Sequence, residues 1–248
     1  MEKKKEIKYG LLGKDIDYSF SRGYFVDKFA REQLHHNQYD NYDCSSVEEL
    51  KQTLLRKDIA GLNVTIPYKE TVLPLMDSLS KQAQEIGAVN TIIFKKNGEL
   101  EGHNTDAYGF EKALFGRFDI NPKKALILGT GGASKAINYV LKNRGIEPQF
   151  VSRKESENAL SYSALTPEII KQHHLIINCT PLGTFPNIED APKIDYSALG
   201  SDHVLFDLIY NPEKTRFMML GEKQGARVGN GQQMLIHQAE RSWALWNK

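Results

Sequence analysis

A glycine-rich loop in the middle of the chain joins an apolar run to a helical one. Residues 124–128 are predicted to form a strand, Gly129, Gly131 and Gly132 follow, and a helix is predicted over 131–144. Gly129 permits a tight turn, and the next two glycines let the backbone approach a pyrophosphate at the helix N-terminus. Because a strand and a helix flank the loop, it predicts a dinucleotide site. The alternative is a glycine turn in an α/β fold that binds no nucleotide.

Short apolar runs alternate with helical segments on both sides of this loop. Predicted strands lie at 7–12, 39–44, 59–66, 88–94, 99–102, 124–128, 149–151, 175–178 and 203–208. Predicted helices lie at 23–36, 47–55, 68–84, 105–118, 131–144, 167–172, 212–220 and 232–246. Such alternation is typical of mostly parallel α/β sheets, although Asn97-Gly98 predicts a hairpin. We therefore predict an α/β protein of two domains, 1–106 and 107–231.

The composition is that of an ordinary globular protein and argues against several kinds of partner. Among the 248 residues, 32 Lys and Arg stand against 31 Asp and Glu, which gives no electrostatic reason to expect nucleic acid or an anionic membrane. No apolar stretch approaches the roughly 18 residues of a membrane span. Two cysteines are too few for a disulfide framework, and the histidines lack metal-ligand spacing. We expect no metal, no membrane and a reducing cytoplasm.

The strand after the glycine loop ends in a basic turn that bears on the choice of cofactor. NAD-binding proteins usually place Asp or Glu at this strand end, about 20 residues on, to bind the ribose 2′-hydroxyl. Here Ser152, Arg153 and Lys154 occupy the turn, and the first acid is Glu155. Two cations without a carboxylate suit a 2′-phosphate, so the turn favours NADP. The alternative is a solvated basic turn without a ligand.

Polar side chains cluster where predicted strands of the first domain end, at 18–21, 63–69, 90–91 and 104–106. Open α/β sheets bind ligands at the carboxyl ends of their strands. Hydroxyls and amides with one Lys and one Asp suit a small polyhydroxylated substrate. The same residue types are also common as helix caps and turn residues, so the composition of these patches leaves both interpretations open.

Six longer motif blocks give the chain a resemblance to a known family. They are 61–69 (GLNVTIPYK), 87–91 (GAVNT), 102–110 (GHNTDAYGF), 178–183 (NCTPLG), 207–212 (DLIYNP) and 234–238 (MLIHQ). With these blocks in order around the glycine loop, the chain resembles the shikimate dehydrogenases from about Tyr9 to Trp246. The resemblance implies reversible NADPH-dependent reduction of 3-dehydroshikimate to shikimate, in chorismate and aromatic amino acid biosynthesis. It also implies an N-terminal substrate domain, a C-terminal Rossmann-like NADP domain, a cleft between them, and a last helix, 232–248, that packs back on the first domain.

The resemblance implies a role for each matching residue. Lys69 and Asp106 are expected to form the catalytic pair. The residues expected to bind substrate are Ser19, Ser21, Thr65, Asn90, Tyr210 and Gln238, with the serines and Tyr210 at its carboxylate. The residues expected to bind NADP are Gly129, Gly131, Gly132, Ala133, Ser152, Arg153, Lys154, Thr180, Leu208 and Gly231. An ammonium beside a ketone stabilises the developing alkoxide and can protonate it, which agrees with reduction.

Departures from the family pattern keep neighbouring functions open. Tyr18 and Arg22 stand where the family usually has His and Pro, and Glu157 stands where many members have a second Arg. The alternative function is therefore a quinate/shikimate dehydrogenase with relaxed cofactor choice. A catalytically silent sensor and a folate-dependent dehydrogenase fit the residues less well. We expect a monomer or homodimer whose partners are a small-molecule substrate and its cofactor, without nucleic acid.

Overall fold

The computed structural model describes residues 6–17 and 19–248, and these residues form two units. One unit contains the described residues up to Thr105 together with Ala239–Lys248. The other unit contains Asp106–Gln238. Each unit has its own sheet with helices packed against it, so the predicted α/β class is confirmed.

The first unit is built on a mixed sheet. Its elements are β1 (Ile7–Gly13), α1 (Phe20–Arg31), β2 (Asn37–Asp43), α2 (Val47–Leu54), β3 (Ile59–Val64), β4 (Ser78–Leu79), α3 (Lys81–Ile86), β5 (Thr91–Phe94) and β6 (Leu100–His103). The strand order is β2-β1-β3-β5-β6-β4, with β1 parallel to both neighbours and β5 antiparallel to β3 and β6. The β5–β6 pairing confirms the hairpin at Asn97-Gly98, where Gly98 adopts a φ of 91°.

The segment 68–84 corrects the prediction of a helix in two pieces. Turns occupy 66–72, Leu73–Leu75 is one turn of 3-10 helix, and only α3 is α-helical. Pro74 has no N–H to donate, so the chain does not continue as an α-helix there. Ser80 starts α3 instead, because its Oγ accepts a hydrogen bond of 3.2 Å from the Ala83 N–H.

The second unit is built on a parallel sheet. Its elements are α4 (Asp106–Arg117), β7 (Lys124–Leu128), α5 (Gly132–Asn143), β8 (Glu147–Ser152), β9 (Ala159–Ser161), α6 (Pro167–Gln172), β10 (Leu175–Asn178), β11 (Val204–Asp207), α7 (Arg216–Lys223), β12 (Arg227–Gly229) and the start of α8 (Gln232–Trp246). The strand order is β12-β11-β10-β7-β8-β9. Counted from β7, this is the order of dinucleotide-binding sheets, which bind their ligand where the strand order reverses. That point lies between the carboxyl ends of β7 and β10.

Helix α7 begins four residues later than the sequence pattern predicts, at Arg216 rather than at Pro212. Thr215 is the reason, because its Oγ1 accepts from the Met218 N–H at 3.4 Å and so caps the first turn. The short edge strands β9 and β12 have no apolar alternation long enough to predict them.

The last helix, α8, contributes to both units. Residues 232–238 belong to the second unit and residues 239–248 to the first. The predicted domain limits, 1–106 and 107–231, differ from this division and remain a prediction. Within the first unit, the Trp246 indole N–H donates a hydrogen bond of 3.0 Å to the Ile92 carbonyl. A Cβ at Gly61 would lie 2.2 Å from Trp246 Nε1, so glycine in β3 makes room for the ring.

Residues 6–17 and 19–248 contain neither a membrane-spanning helix nor a metal-binding cluster. Within these ranges no helix combines the length and the apolar character needed to cross a bilayer. The same part of the chain holds no cluster of His, Cys, Asp and Glu side chains placed to bind a metal ion. Cys44 and Cys179 are free thiols.

Candidate active site

In the glycine loop after β7, Gly129 and Gly131 differ in why glycine occupies the position. Gly129 has a φ of 104°, and a Cβ there would lie 3.1 Å from Thr180 Cγ2. The fold itself therefore requires glycine at this position. Gly131 has φ −78° and ψ 178°, which any residue adopts, and a Cβ there would meet no atom within 4 Å. The fold does not require glycine at 131, whereas a ligand lying against the backbone would.

The loop leads directly into the N-terminus of α5. Gly131 is the N-cap and has no side chain to satisfy the N–H groups of the first turn, which contains Gly132 and Ala133. Ser134 stands at the third position of the glycine pattern and is fully buried, with its Oγ donating to the Gly131 carbonyl at 2.6 Å. The hydrogen bond from buried Ser134 thus fixes the loop on its inner side, and the uncapped N–H groups at the start of α5 suit a phosphate.

The basic turn lies at the same edge of the sheet as the glycine loop. Leu128 and Val151 are register partners, and the Gly129 N–H donates to the Val151 carbonyl at 2.8 Å. Ser152 ends β8, and its Oγ donates to the Lys154 carbonyl, which shapes the turn. Arg153 and Lys154 are exposed. The structure therefore brings the predicted pyrophosphate loop and the predicted 2′-phosphate residues to neighbouring strand ends.

A buried polar cluster holds the next two strand ends together. The Asn178 amide donates 3.0 Å to Asp207 Oδ1, while its Oδ1 accepts from Thr180 Oγ1 at 2.6 Å and from the Thr180 N–H at 3.0 Å. Thr215 Oγ1 donates to the other Asp207 oxygen at 2.6 Å. Burial raises the pKa of Asp207 to about 6, although hydrogen bonds from Thr215, Ile209 and Asn178 act in the opposite direction.

The remaining predicted cofactor residues meet at the loop after β11. A Cβ at Gly231 would lie 2.0 Å from the Leu208 carbonyl oxygen, and the Gly231 N–H donates 3.0 Å to the Ile209 carbonyl. Tyr210, which the resemblance places at the substrate carboxylate, follows two residues after Leu208 and is half-buried. Leu208 and Gly231 are thus neighbours in space, and Tyr210 extends the same loop.

In the first unit, the two predicted carboxylate ligands lie at the start of α1. Ser19 is the N-cap, and its Oγ accepts from the Ser21 N–H at 3.3 Å, which leaves the Ser19 hydroxyl proton to donate elsewhere. Ser21 is buried, and its side chain lies beside the Tyr39 hydroxyl. Arg22 is exposed, and Tyr18 lies outside the described residues.

Thr65 and Lys69 lie on the loop after β3. The Thr65 N–H donates 2.9 Å to the Leu12 carbonyl at the end of β1, and the Lys69 carbonyl accepts from the Val89 N–H at 2.8 Å. These bonds tie the loop to β1 and to the segment that leads into β5. Lys69 belongs to the first unit, whereas Asp106, buried at the start of α4, belongs to the second. Their pairing stays a prediction.

Asn90 and Gln238 are both buried, and each is oriented by its neighbours. The Thr105 N–H donates to Asn90 Oδ1 at 2.7 Å, and Asn90 Nδ2 donates to Thr105 Oγ1 at 3.0 Å. Gln238 Nε2 donates 3.0 Å to the Leu235 carbonyl within α8.

The sequence analysis assigns no individual role to the buried polar residues that contact Asn90, or to Asn178 and Asp207. The position of the latter two at strand ends within motif blocks was the available signal.

Comparison with known proteins decides the family. A family model described as the shikimate dehydrogenase substrate binding domain matches residues 11–92. A shikimate dehydrogenase (NADP(+)) from Caldicellulosiruptor bescii is 35% identical, over 95% of this chain and 88% of the relative. The chain belongs to the shikimate dehydrogenase family.

Solved structures of similar proteins have the same fold. Shikimate 5-dehydrogenase from Thermus thermophilus, in complex with NADP(H) and shikimate, is 31% identical with a TM-score of 0.83, over 97% of this chain and 93% of that one. Quinate dehydrogenase from Corynebacterium glutamicum, in complex with NAD, is 26% identical with a TM-score of 0.84, over 98% of this chain and 94% of that one. The family resemblance and the fold class inferred from sequence are confirmed.

Proposed function

We propose that this chain is an NADP-dependent oxidoreductase that reduces 3-dehydroshikimate reversibly to shikimate, a step toward chorismate and the aromatic amino acids. The proposal rests on the backbone geometry and the open surroundings of Gly131. Neither its backbone angles nor its surroundings require glycine, so the missing side chain is explained by a ligand that approaches the loop. Family membership supplies the reaction, and this loop supports the nucleotide on which the reaction depends.

The second unit has the residues needed to hold NADP. The N–H groups at the start of α5 would bind the pyrophosphate, since helix N-termini attract anions. Arg153 and Lys154 would bind the 2′-phosphate, and Thr180, Leu208 and Gly231 would line the rest of the site. When bound as NADPH, the cofactor supplies the hydride.

The first unit and Asp106 carry the substrate chemistry in this proposal. Ser19 and Ser21 hold the substrate carboxylate with help from Tyr210, while Thr65, Asn90 and Gln238 hold ring hydroxyls. Lys69 stabilises the negative charge that develops on the ketone oxygen and donates the proton that completes the alcohol. Asp106 orients Lys69 and accepts from a ring hydroxyl. In the reverse direction, Lys69 accepts the proton of the alcohol.

A quinate/shikimate dehydrogenase of relaxed cofactor choice is the second candidate. It is supported by the fold similarity to the Corynebacterium glutamicum quinate dehydrogenase. Two departures of this chain from the family pattern also favour this candidate. They are Arg22, at the proposed carboxylate end of the substrate site, and Glu157, near the cofactor turn. Quinate carries an additional hydroxyl, which a variant substrate site would have to accommodate.

Steady-state rates with the purified protein separate these functions. Nicotinamide absorbance is followed with shikimate or quinate as substrate and with NADP or NAD as cofactor. Best turnover with shikimate and NADP supports the proposal. Comparable turnover with quinate or with NAD supports the second candidate, and absence of turnover with all four pairs contradicts both.

The proposal extends to the cellular compartment. Cys44 and Cys179 are both free thiols, which is the usual state in a reducing cytoplasm. We therefore assign the enzyme to the cytoplasm, and the location of a tagged full-length protein in fractionated cells tests this assignment.

A further inference from the structure

Five buried polar side chains form a hydrogen-bonded chain through the core of the first unit. The Tyr39 hydroxyl donates to Asn63 Oδ1 at 2.9 Å, and Asn63 Nδ2 donates to Ser242 Oγ at 2.9 Å. Ser242 lies 2.8 Å from Thr91 Oγ1, which donates to Asn90 Oδ1 at 3.0 Å. Tyr39, Thr91 and Ser242 are almost completely buried, so solvent does not satisfy these groups.

The donors and acceptors fix the direction of the bonds on either side of Ser242. The Thr105 N–H can only donate, so the atom of Asn90 that it contacts at 2.7 Å is the amide oxygen. Thr91 has one hydroxyl proton and gives it to that same oxygen. Ser242 accepts from Asn63, and its own hydroxyl proton is available to Thr91 at 2.8 Å or to Thr105 at 3.1 Å. Neighbouring groups in the sequence Tyr39, Asn63, Ser242, Thr91, Asn90 thus hold one another.

One end of the chain has a proposed role in substrate binding, and the other end lies beside a residue that has one. Asn90 is the proposed ligand of a ring hydroxyl, and Tyr39 lies beside Ser21, a proposed ligand of the carboxylate. Burial raises the pKa of Tyr39 well above its usual value, so its hydroxyl keeps its proton and remains a donor. Well-packed apolar side chains would stabilise a core at least as well as buried polar ones, so stability alone does not account for this network.

We infer that Ser242, on the last helix, is a positioning residue for the substrate site. Its Oγ contacts Asn63, Thr91 and, at 3.1 Å, Thr105, while Thr91 Oγ1 itself lies 3.3 Å from Asn63 Nδ2 and 3.2 Å from Thr105 Oγ1. Through Thr91 it supports the orientation of the Asn90 amide that the Thr105 N–H also holds, so that the substrate meets the donor side of this group. Through Asn63 it also holds the Tyr39 hydroxyl, which lies beside Ser21. This inference rests on the proposed function, because it assigns the supported residues to shikimate.

The test compares variants that remove a hydroxyl from the network with variants that do not. Ser242→Ala and Thr91→Val each delete one hydroxyl, and we expect the KM for shikimate to rise about fivefold to tenfold. The KM for NADP should stay within about twofold, because all five side chains belong to the first unit, whereas the proposed NADP residues belong to the second. Thr91→Ser keeps the hydroxyl and should restore the parent KM. Leu245→Ala, a buried apolar change on the same helix, should lower Tm without changing either KM.

The outcomes separate this inference from the proposed function. Shikimate binding is also measured by calorimetry, so that affinity is known independently of turnover. If the parent turns over shikimate and both hydroxyl deletions keep its KM, the inference is wrong and the proposed function stands. Equal rises in the KM for shikimate and NADP, matched by Leu245→Ala, also overturn it, because they indicate a structural role. If Ser242→Ala does not fold, the Thr91→Val and Thr91→Ser pair decides. A parent that neither binds nor turns over shikimate contradicts the proposed function itself.

Discussion

Asn178 and Asp207 end neighbouring parallel strands, and the Asn178 amide donates a hydrogen bond of 3.0 Å to the Asp207 carboxyl group. Asn178 also holds Thr180, whose methyl carbon faces Gly129. One buried carboxyl group thereby connects the loop after β11 with the loop after β10. Any change in the charge of Asp207 should therefore affect both the stability of the second unit and its ligand loops.

The pH dependence of stability should report the titration of Asp207. Burial raises its pKa from 3.8 to about 6, so between these values the folded protein holds a proton that the unfolded chain has lost. The contribution of this group to the free energy of unfolding is therefore largest below pH 4 and declines as the pH rises through 6. The decline should be about 3 kcal/mol, because each pKa unit corresponds to about 1.4 kcal/mol.

Asp207→Asn provides the matched comparison, since asparagine does not titrate. Denaturant unfolding of parent and variant between pH 4 and 7.5 gives the difference in free energy at each pH. The parent should lose stability relative to the variant as the pH rises. A difference that stays constant across this range would show that Asp207 does not titrate there.

Gly131 and Gly129 should respond differently to alanine. Gly131→Ala should leave Tm nearly unchanged and raise the KM for NADP by about tenfold or more, because its Cβ points into open space where the pyrophosphate is proposed to bind. Gly129→Ala should lower stability by about 1–3 kcal/mol because of its positive φ. Calorimetry and cofactor titration measure both effects. Unchanged cofactor affinity in a folded Gly131→Ala protein would contradict the proposed site.

Arg153 should determine the preference for NADP. Arg153→Ala removes a proposed charge-assisted contact worth about 1.5–3 kcal/mol, so the KM for NADP should rise ~10- to 100-fold. The KM for NAD should hardly change, because NAD lacks the 2′-phosphate. Lys171→Ala, which removes an exposed cation from α6, is the control for net charge. Equal losses with both cofactors would mean that Arg153 does not bind this phosphate.

The proposed catalytic pair should behave as one unit in kinetics. Lys69→Ala should lower kcat by ~10²–10⁴, the usual contribution of a positioned acid–base group, with a smaller effect on substrate binding. Asp106→Asn should impair both kcat and KM, because it removes the charge that orients Lys69. The double variant should lose less than the product of the two separate losses. Near-normal turnover by folded Lys69→Ala protein would exclude the mechanism.

The substrate carboxylate distinguishes Ser21 from Arg22. Ser21→Ala should weaken shikimate binding by about 1–3 kcal/mol, the loss expected for one hydrogen bond to a charged group. Arg22→Ala should have the smaller effect, because this side chain is exposed on the first turn of α1. Isothermal titration with shikimate gives both values. If the arginine variant binds more weakly than the serine variant, then Arg22 is the carboxylate ligand.

Local signals predicted the parts of the fold that depend on neighbouring residues. The glycine loop, the buried strands β7 and β10, and the Asn97-Gly98 hairpin follow from spacing, apolar runs and turn chemistry. The apolar spacing of 68–84 resembles that of a helix, whereas Pro74 and the pairing of β4 with β6 decide the path of this segment. Ser242 gave no signal, since its three partners lie far away in sequence and only the folded sheet brings them to it.

The shared helix α8 has a consequence for how the protein is made. Trp246 fills the space above Gly61, and Trp243 packs on Tyr9, yet both tryptophans are translated after the whole of the second unit. When the chain up to Thr105 has emerged from the ribosome, its sheet therefore still lacks its covering helix. The first unit completes its core only when residues 243–246 have left the exit tunnel, so a nonsense codon a few positions before Trp243 damages the unit that was synthesised first.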